Sequence, residues 1–174
     1  PSGPSTPAHG TEQWQTIEPT GWRIRQSDHA FVTSPQAREI LDRAINDFLA
    51  GRVTESVTGF DRVAVLAPQA APQLWQRGIA LYYVGRYADC RAQFESHRTV
   101  NPNDVENPAW HFMCVAKAES PAKARAGILP VGPDQRSPMR EIYQMFRGTM
   151  TPDAILKVAG NEPSAKFFAE LYVG

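Results

Sequence analysis

The chain has 174 residues, 42% of them apolar, enough for one domain with a real core and too few for two. Its 18 cationic and 18 anionic side chains cancel, so no basic face advertises nucleic acid. No apolar run approaches the roughly 18 residues that a helical membrane span needs.

In chain order, residues 1–33 come first, with Pro1, Pro4, Pro7 and Pro19 set among Ser, Thr and Gly. Such a stretch cannot hold a helix for long and reads as an extended N-terminal arm. Trp14, Trp22 and Phe31 are costly to leave in water. They either lie back on the body of the protein or dock on another one. The chain opens at Pro1 without a Met, which suggests that a signal, transit or tag segment has been removed.

From Ser34 helix starts recur. Ser34-Pro35, Asn107-Pro108, Ser120-Pro121, Ser137-Pro138 and Thr151-Pro152 each place a capping side chain before a Pro at the first helical position. No segment between them alternates with strand period, so the body is expected to be all-α. Helices are predicted at about 35–50, 53–66, 72–84, 87–100, 108–118, 121–129, 138–147 and 152–159, with a last one starting near Pro163.

The stretch from Leu74 to Pro102, LWQRGIALYYVGRYADCRAQFESHRTVNP, organises this series. Gly78 is the small residue where two helices meet, and Leu81 the large one after it. Gly85-Arg86-Tyr87 makes the turn, Cys90 and Phe94 stand four apart on the second helix, and Pro102 closes the unit. A shift of 34 residues maps Gly85 on Gly51, Phe94 on Phe60, Pro102 on Pro68, Ile79 on Ile45, Arg86 on Arg52 and Arg77 on Arg43. Period and pattern resemble the tetratricopeptide (TPR) repeat. The resemblance implies a right-handed superhelix of antiparallel helix pairs spanning residues 34–174. Its repeats fall at about 35–68, 69–102, 107–136 and 137–160, and a further one begins at 163–174. The third unit is degenerate: Ala124 and Ile128 repeat Cys90 and Phe94, but Glu119 replaces the turn Gly. Val173-Gly174 looks like the start of another helix, so the sequence is expected to stop in mid-repeat.

Between Trp75 and Leu156 the likeness narrows. RGIALYYVGR, NPNDVENPAWHF and MREIYQMFRG resemble the bacterial outer-membrane TPR lipoproteins that scaffold peptidoglycan hydrolases. The W-Q-R-G start, the N-P-N-D link, the W-x-F-x-C helix from Trp110 to Cys114 and the block from Val131 to Phe146 look still more like an organellar TPR family of plants and algae. Neither group is understood as catalytic. The resemblance implies a structural subunit of a larger complex in an organelle, with a plastid and its photosynthetic (thylakoid) membranes favoured. The alternative is a scaffold of the bacterial periplasm or a lumen that recruits enzymes and dimerises through its helices. The arm before Ser34 matches neither group.

TPR modules bind other proteins on a concave face built from the first helix of each pair. Here that face should show Leu41, Ile45 and Phe48 in the first repeat, and Trp75, Ile79 and Tyr82 in the second. The Lys and Asn that grip an acidic peptide tail are absent from these positions. Apolar stripes at i, i+4, i+7 also describe a core, so the cover is either the chain itself or a partner helix. Arg43 and Arg77 read as structural arginines bonding a neighbouring loop, or as partners for acids on another protein.

Catalytic chemistry finds little foothold. Ser120-x-x-Lys123 matches a hydrolase pattern, yet Ser120 serves better as a helix cap. His111 and Cys114 lie one turn apart without a metal-site spacing, and Asp104 and Glu106 read as acids on a solvated link. No catalytic residue, metal or cofactor is assigned. Cys90 and Cys114 are too few for a disulfide framework and read as small buried residues. They fall on adjacent helices, so a bond between them in an oxidising compartment stays open.

Overall fold

The computed structural model describes residues 31–174, which are helical with no strand. Among the described residues nine α-helices follow one another: α1 (Pro35–Leu49), α2 (Val53–Leu66), α3 (Trp75–Tyr83), α4 (Tyr87–His97), α5 (Glu106–Ala118), α6 (Pro121–Ala126), α7 (Met139–Phe146), α8 (Pro152–Ala159) and α9 (Pro163–Val173). None is long and apolar enough to cross a membrane. Of the arm, Phe31, Val32 and Thr33 are described: Val32 is fully buried, and an Arg38 guanidinium N–H donates to its carbonyl at 3.0 Å. Trp14 and Trp22 lie outside the described residues.

Turn chemistry sets the first two helix pairs. Gly51 and Gly85 sit at φ +75° and +77°, a left-handed conformation that costs glycine nothing, and each reverses the chain between two helices. The small residues then bring the helices together. A Cβ on Gly59 would lie 2.7 Å from that of Ala44, and one on Gly78 would lie 2.6 Å from the Phe94 ring. Phe60 and Phe94, one period apart, are almost fully buried beside these contacts. Each helix from α1 to α6 packs on its chain neighbours, and α1, α3 and α5 also touch in succession.

The seam between α4 and α5 runs antiparallel. Phe94 stacks on Trp110 with ring centroids 6.4 Å apart, and Cys90 is joined to Cys114 by a disulfide with Cα atoms 6.0 Å apart. Two apolar cores result. One spans α1–α5 and holds Leu41, Phe60, Leu81 and Phe94; the other gathers Val105, Met139, Ile142 and Ile155 with the small residues of α9. Phe112 of α5 against Phe146 of α7, centroids 5.0 Å apart, carries contact from one towards the other.

Three expected caps form, with Ser34, Ser120 and Thr151 oxygens accepting from the N–H groups of Ala37, Lys123 and Ala154. Two do not. The chain turns into α5 before Pro108, and just ahead of the helix the Asp104 Oδ1 accepts from the Glu106 N–H at 2.9 Å. Asn107 is instead buried against the end of α4; with its amide oriented to satisfy both contacts, it donates to the Phe94 carbonyl at 3.1 Å and accepts from the Arg98 N–H at 3.2 Å. α7 begins at Met139, after a cis Ser137–Pro138 bond, with no side-chain cap. Residues 68–73, with Pro68 and Pro72, form a 3-10 segment that delays α3 to Trp75. α6 ends at Ala126, so Ala124 is buried as the period requires while Ile128 falls outside the helix.

Candidate functional site

The six residues assigned to a concave face divide into two layers. Leu41, Ile45 and Ile79 are 1%, 5% and 3% exposed and belong to the first core, which leaves them little surface for a partner. Phe48, Trp75 and Tyr82 are half-buried above them, and Phe31 packs against the same core. The outer layer continues in an aromatic cluster. Tyr82 meets Tyr83, Tyr87 and Trp110 edge-on, with centroids 5.6 to 5.7 Å apart, and Tyr83 lies 6.5 Å from Trp110. Trp110 is 8% exposed but Tyr83 is 64% exposed, so the cluster rises from the core to the surface. The apolar stripe leads to Tyr82 and stops short of Tyr83 and Tyr87. Only the density of aromatics between Tyr82 and Tyr87 hints at them.

Arg43 and Arg77 share a repeat position and do different work. Arg43 is exposed and reaches only Glu39 on its own helix, at 3.2 Å. Arg77 binds Asp61 of α2 at 2.7 to 2.8 Å and Gln93 of α4 at 2.8 Å, tying three helices rather than a loop. Asp61 also receives Arg86 at 2.6 Å. Burial would push the Asp61 carboxyl up, but the hydrogen bonds from Arg86 and Arg77 outweigh it and hold the group below the usual carboxylate range. One period on, His111 stands in place of Arg77 and Glu95 in place of Asp61, and their side chains meet at 3.3 Å. Burial pulls His111 below the ordinary imidazole value against the pull of Glu95, so the bridge there is a hydrogen bond from a neutral ring.

The acids at and just after the N-P-N-D link are half-buried and ion-paired, contrary to the expectation of a solvated link for Asp104 and Glu106. They converge on Arg136 with Asp134, at 2.5 Å for Asp104, 2.8 Å for Glu106 and 2.7 Å for Asp134. The guanidinium also lies over the Phe168 ring of α9, 5.2 Å from its centroid. Asp134 accepts from the Val105 N–H at 3.1 Å, and the Tyr172 hydroxyl donates to Glu106 at 3.0 Å. Three carboxylates around one guanidinium leave negative charge in excess. Burial and the nearby Asp104 charge accordingly raise the Glu106 carboxyl above its usual range, opposed by Arg136 and Tyr172. Two stretches distant along the chain, Asp104 to Glu106 and Asp134 to Arg136, thus build one polar hub at the edge of the second core. A buried acid with a raised pKa can mark catalysis; here the Glu106 oxygens accept from Arg136 and Tyr172.

The residues weighed for chemistry are otherwise engaged. The Ser120 hydroxyl caps α6, the Cys114 sulfur is bonded to Cys90, and His111 Nε2 faces Glu95. Among the described residues no group of three or more His, Cys, Asp or Glu is placed to hold a metal ion. No family model, no curated protein and no solved structure matches the chain.

Proposed function

We propose that this chain is a TPR-type interaction module: a non-catalytic structural subunit of a larger complex, in an organelle and by preference at a photosynthetic membrane of the plastid. One observation carries the reading. The 34-residue period of the sequence recurs in space, with Gly51 and Gly85 in matched left-handed turns and Ala44–Gly59 and Gly78–Gln93 as matched close approaches. A recurring helix pair is an architecture for presenting surface rather than enclosing substrate. Its partners are other proteins, and the surface offered is Phe48, Trp75, Tyr82 and Tyr83. Leu41, Ile45 and Ile79 support that surface from beneath. The compartment follows from the narrower resemblance of the sequence. The Cys90–Cys114 bond favours the alternative, a periplasmic or lumenal scaffold that dimerises, because disulfides persist in oxidising compartments.

The test compares native co-migration of wild type and of Tyr83→Asp, with Trp75→Ala as a second variant. Tyr83→Asp changes an exposed side chain and should lower partner recovery at least tenfold, as central aromatic contacts do, with the thermal midpoint within a few degrees of wild type. Unchanged recovery for both variants rules out this face. Stoichiometric co-migration with one large complex identifies a subunit, whereas a free dimer with exchangeable partners identifies a scaffold.

A further inference from the structure

Cys90 and Cys114 are both fully buried, and they face each other across the α4–α5 seam one turn from the Phe94–Trp110 stack. Their Cα separation of 6.0 Å lies in the range a disulfide spans without moving the backbone. Packing alone does not call for sulfur there. One period away the residue equivalent to Cys90 is Ser56 on one side and Ala124 on the other, and the residue equivalent to Cys114 is Ala80; all three are buried. Small side chains satisfy the repeat, and cysteine stands at both positions of the one junction where the two meet. Redox-sensing cysteines are solvent-accessible and of low pKa. This pair has no access to solvent, and burial among apolar side chains keeps a thiol protonated and slow to react.

We propose that a thiol–disulfide oxidant closes Cys90 and Cys114 while α4 and α5 are still apart, so that the chain matures in an oxidising compartment and keeps the bond as a permanent staple. The thiolate of one cysteine attacks a sulfur of the oxidant's disulfide and expels one oxidant thiolate. The thiolate of the other then attacks the chain's sulfur in that mixed disulfide and expels the second. The chain loses two protons and two electrons, and the oxidant leaves as a dithiol. Once the helices close, Phe94 and Trp110 seal the bond from reductants.

The full chain is produced in a bacterial host in two forms, one retained in the reducing cytoplasm and one exported to the oxidising periplasm. Each is alkylated in denaturant, with and without prior reduction. The exported form should take no label until reduced, and dithiothreitol should reduce it far more slowly in native buffer than in denaturant. The cytoplasmic form should take two labels and melt roughly 5–10 °C lower, the shift expected for a loop of this length in a domain of this size. A Cys90→Ala/Cys114→Ala variant should melt at one temperature from both compartments. Free thiols in the exported chain, native reduction as fast as denatured reduction, or a compartment difference that persists in the double variant would each overturn the proposal.

Discussion

At Gly78 the absence of a side chain lets α3 meet α4, since a Cβ there would lie 2.6 Å from one Phe94 ring atom and 2.7 Å from another. Phe94 is walled in by Trp110 and cannot swing aside freely. Gly78→Ala should therefore cost about 2 kcal/mol despite alanine's better helix propensity, measured as a lowered urea midpoint at unchanged slope. The buried histidines set a pH dependence. Burial lowers His97, opposed by its contact with the Pro72 carbonyl, and lowers His111, opposed by Glu95. A folded value below the unfolded one means that the unfolded chain binds more protons between the two. Stability should thus be complete above a pH of about 6.5 and fall as the pH drops below it. Glu106 works in the opposite sense: its folded value is raised, so its contribution is present at low pH and is lost as the pH rises through that value. Thermal midpoints across pH 7.5 to 5 should decline for wild type and flatten in His97→Gln/His111→Gln. A parallel decline in that variant would assign the effect elsewhere.

The elements were readable in the sequence wherever the signal was local. Gly51, Gly85, Phe60 and Phe94 occupy the positions that the 34-residue period assigns them, because a left-handed turn and a helix–helix contact need only a few neighbouring residues. Ser34, Ser120 and Thr151 cap as read, since a cap acts within one turn. Asn107 misled because its partners, the Phe94 carbonyl and the Arg98 N–H, belong to the preceding helix. Asp104 and Glu106 misled for the same reason: their burial comes from Arg136 and Tyr172, far along the chain. The apolar stripe at Leu41, Ile45 and Ile79 marked where a face lies without telling its inner layer from its outer one. A comparison of single variants measures the difference between local and distant roles. Ser120→Ala should cost about 0.5 to 1 kcal/mol, the value of an exposed cap. Asn107→Ala removes two hydrogen bonds of a buried amide, although the Arg98 N–H keeps its bond to the Phe94 carbonyl, and should cost about 2 kcal/mol. Equal costs would return Asn107 to the role of an ordinary cap.

For the molecule as a whole, the hub at Arg136 ties the start of α5 and the segment before α7 to α9, at the edge of the second core. Removing Arg136 leaves Asp104, Glu106 and Asp134 facing one another unpaired. A fully buried pair broken in this way costs 3 to 5 kcal/mol; with the Arg136 side chain 39% exposed, about 2 kcal/mol is the expected loss for Arg136→Met. The variant should regain stability as the pH falls towards 5 and the crowded acids take up protons, the reverse of the histidine trend. Hydrogen exchange should show faster opening of α7 to α9 with α1 to α4 still protected; uniform loss of protection would mean that the cores stand or fall together. The hub also has a bearing on biosynthesis. Its last contributors, Phe168 and Tyr172, are 66 residues beyond Glu106 in the case of the Tyr172–Glu106 contact. A ribosome adding roughly 5 to 20 residues per second releases the first four helices seconds before α9. Until then Glu106 lacks its phenol and Arg136 its aromatic roof, and the second core stays open for other proteins to handle. Incorporation into any larger assembly through that half can wait for α9, so its arrival gives the chain a checkpoint that reports the closing of the second core.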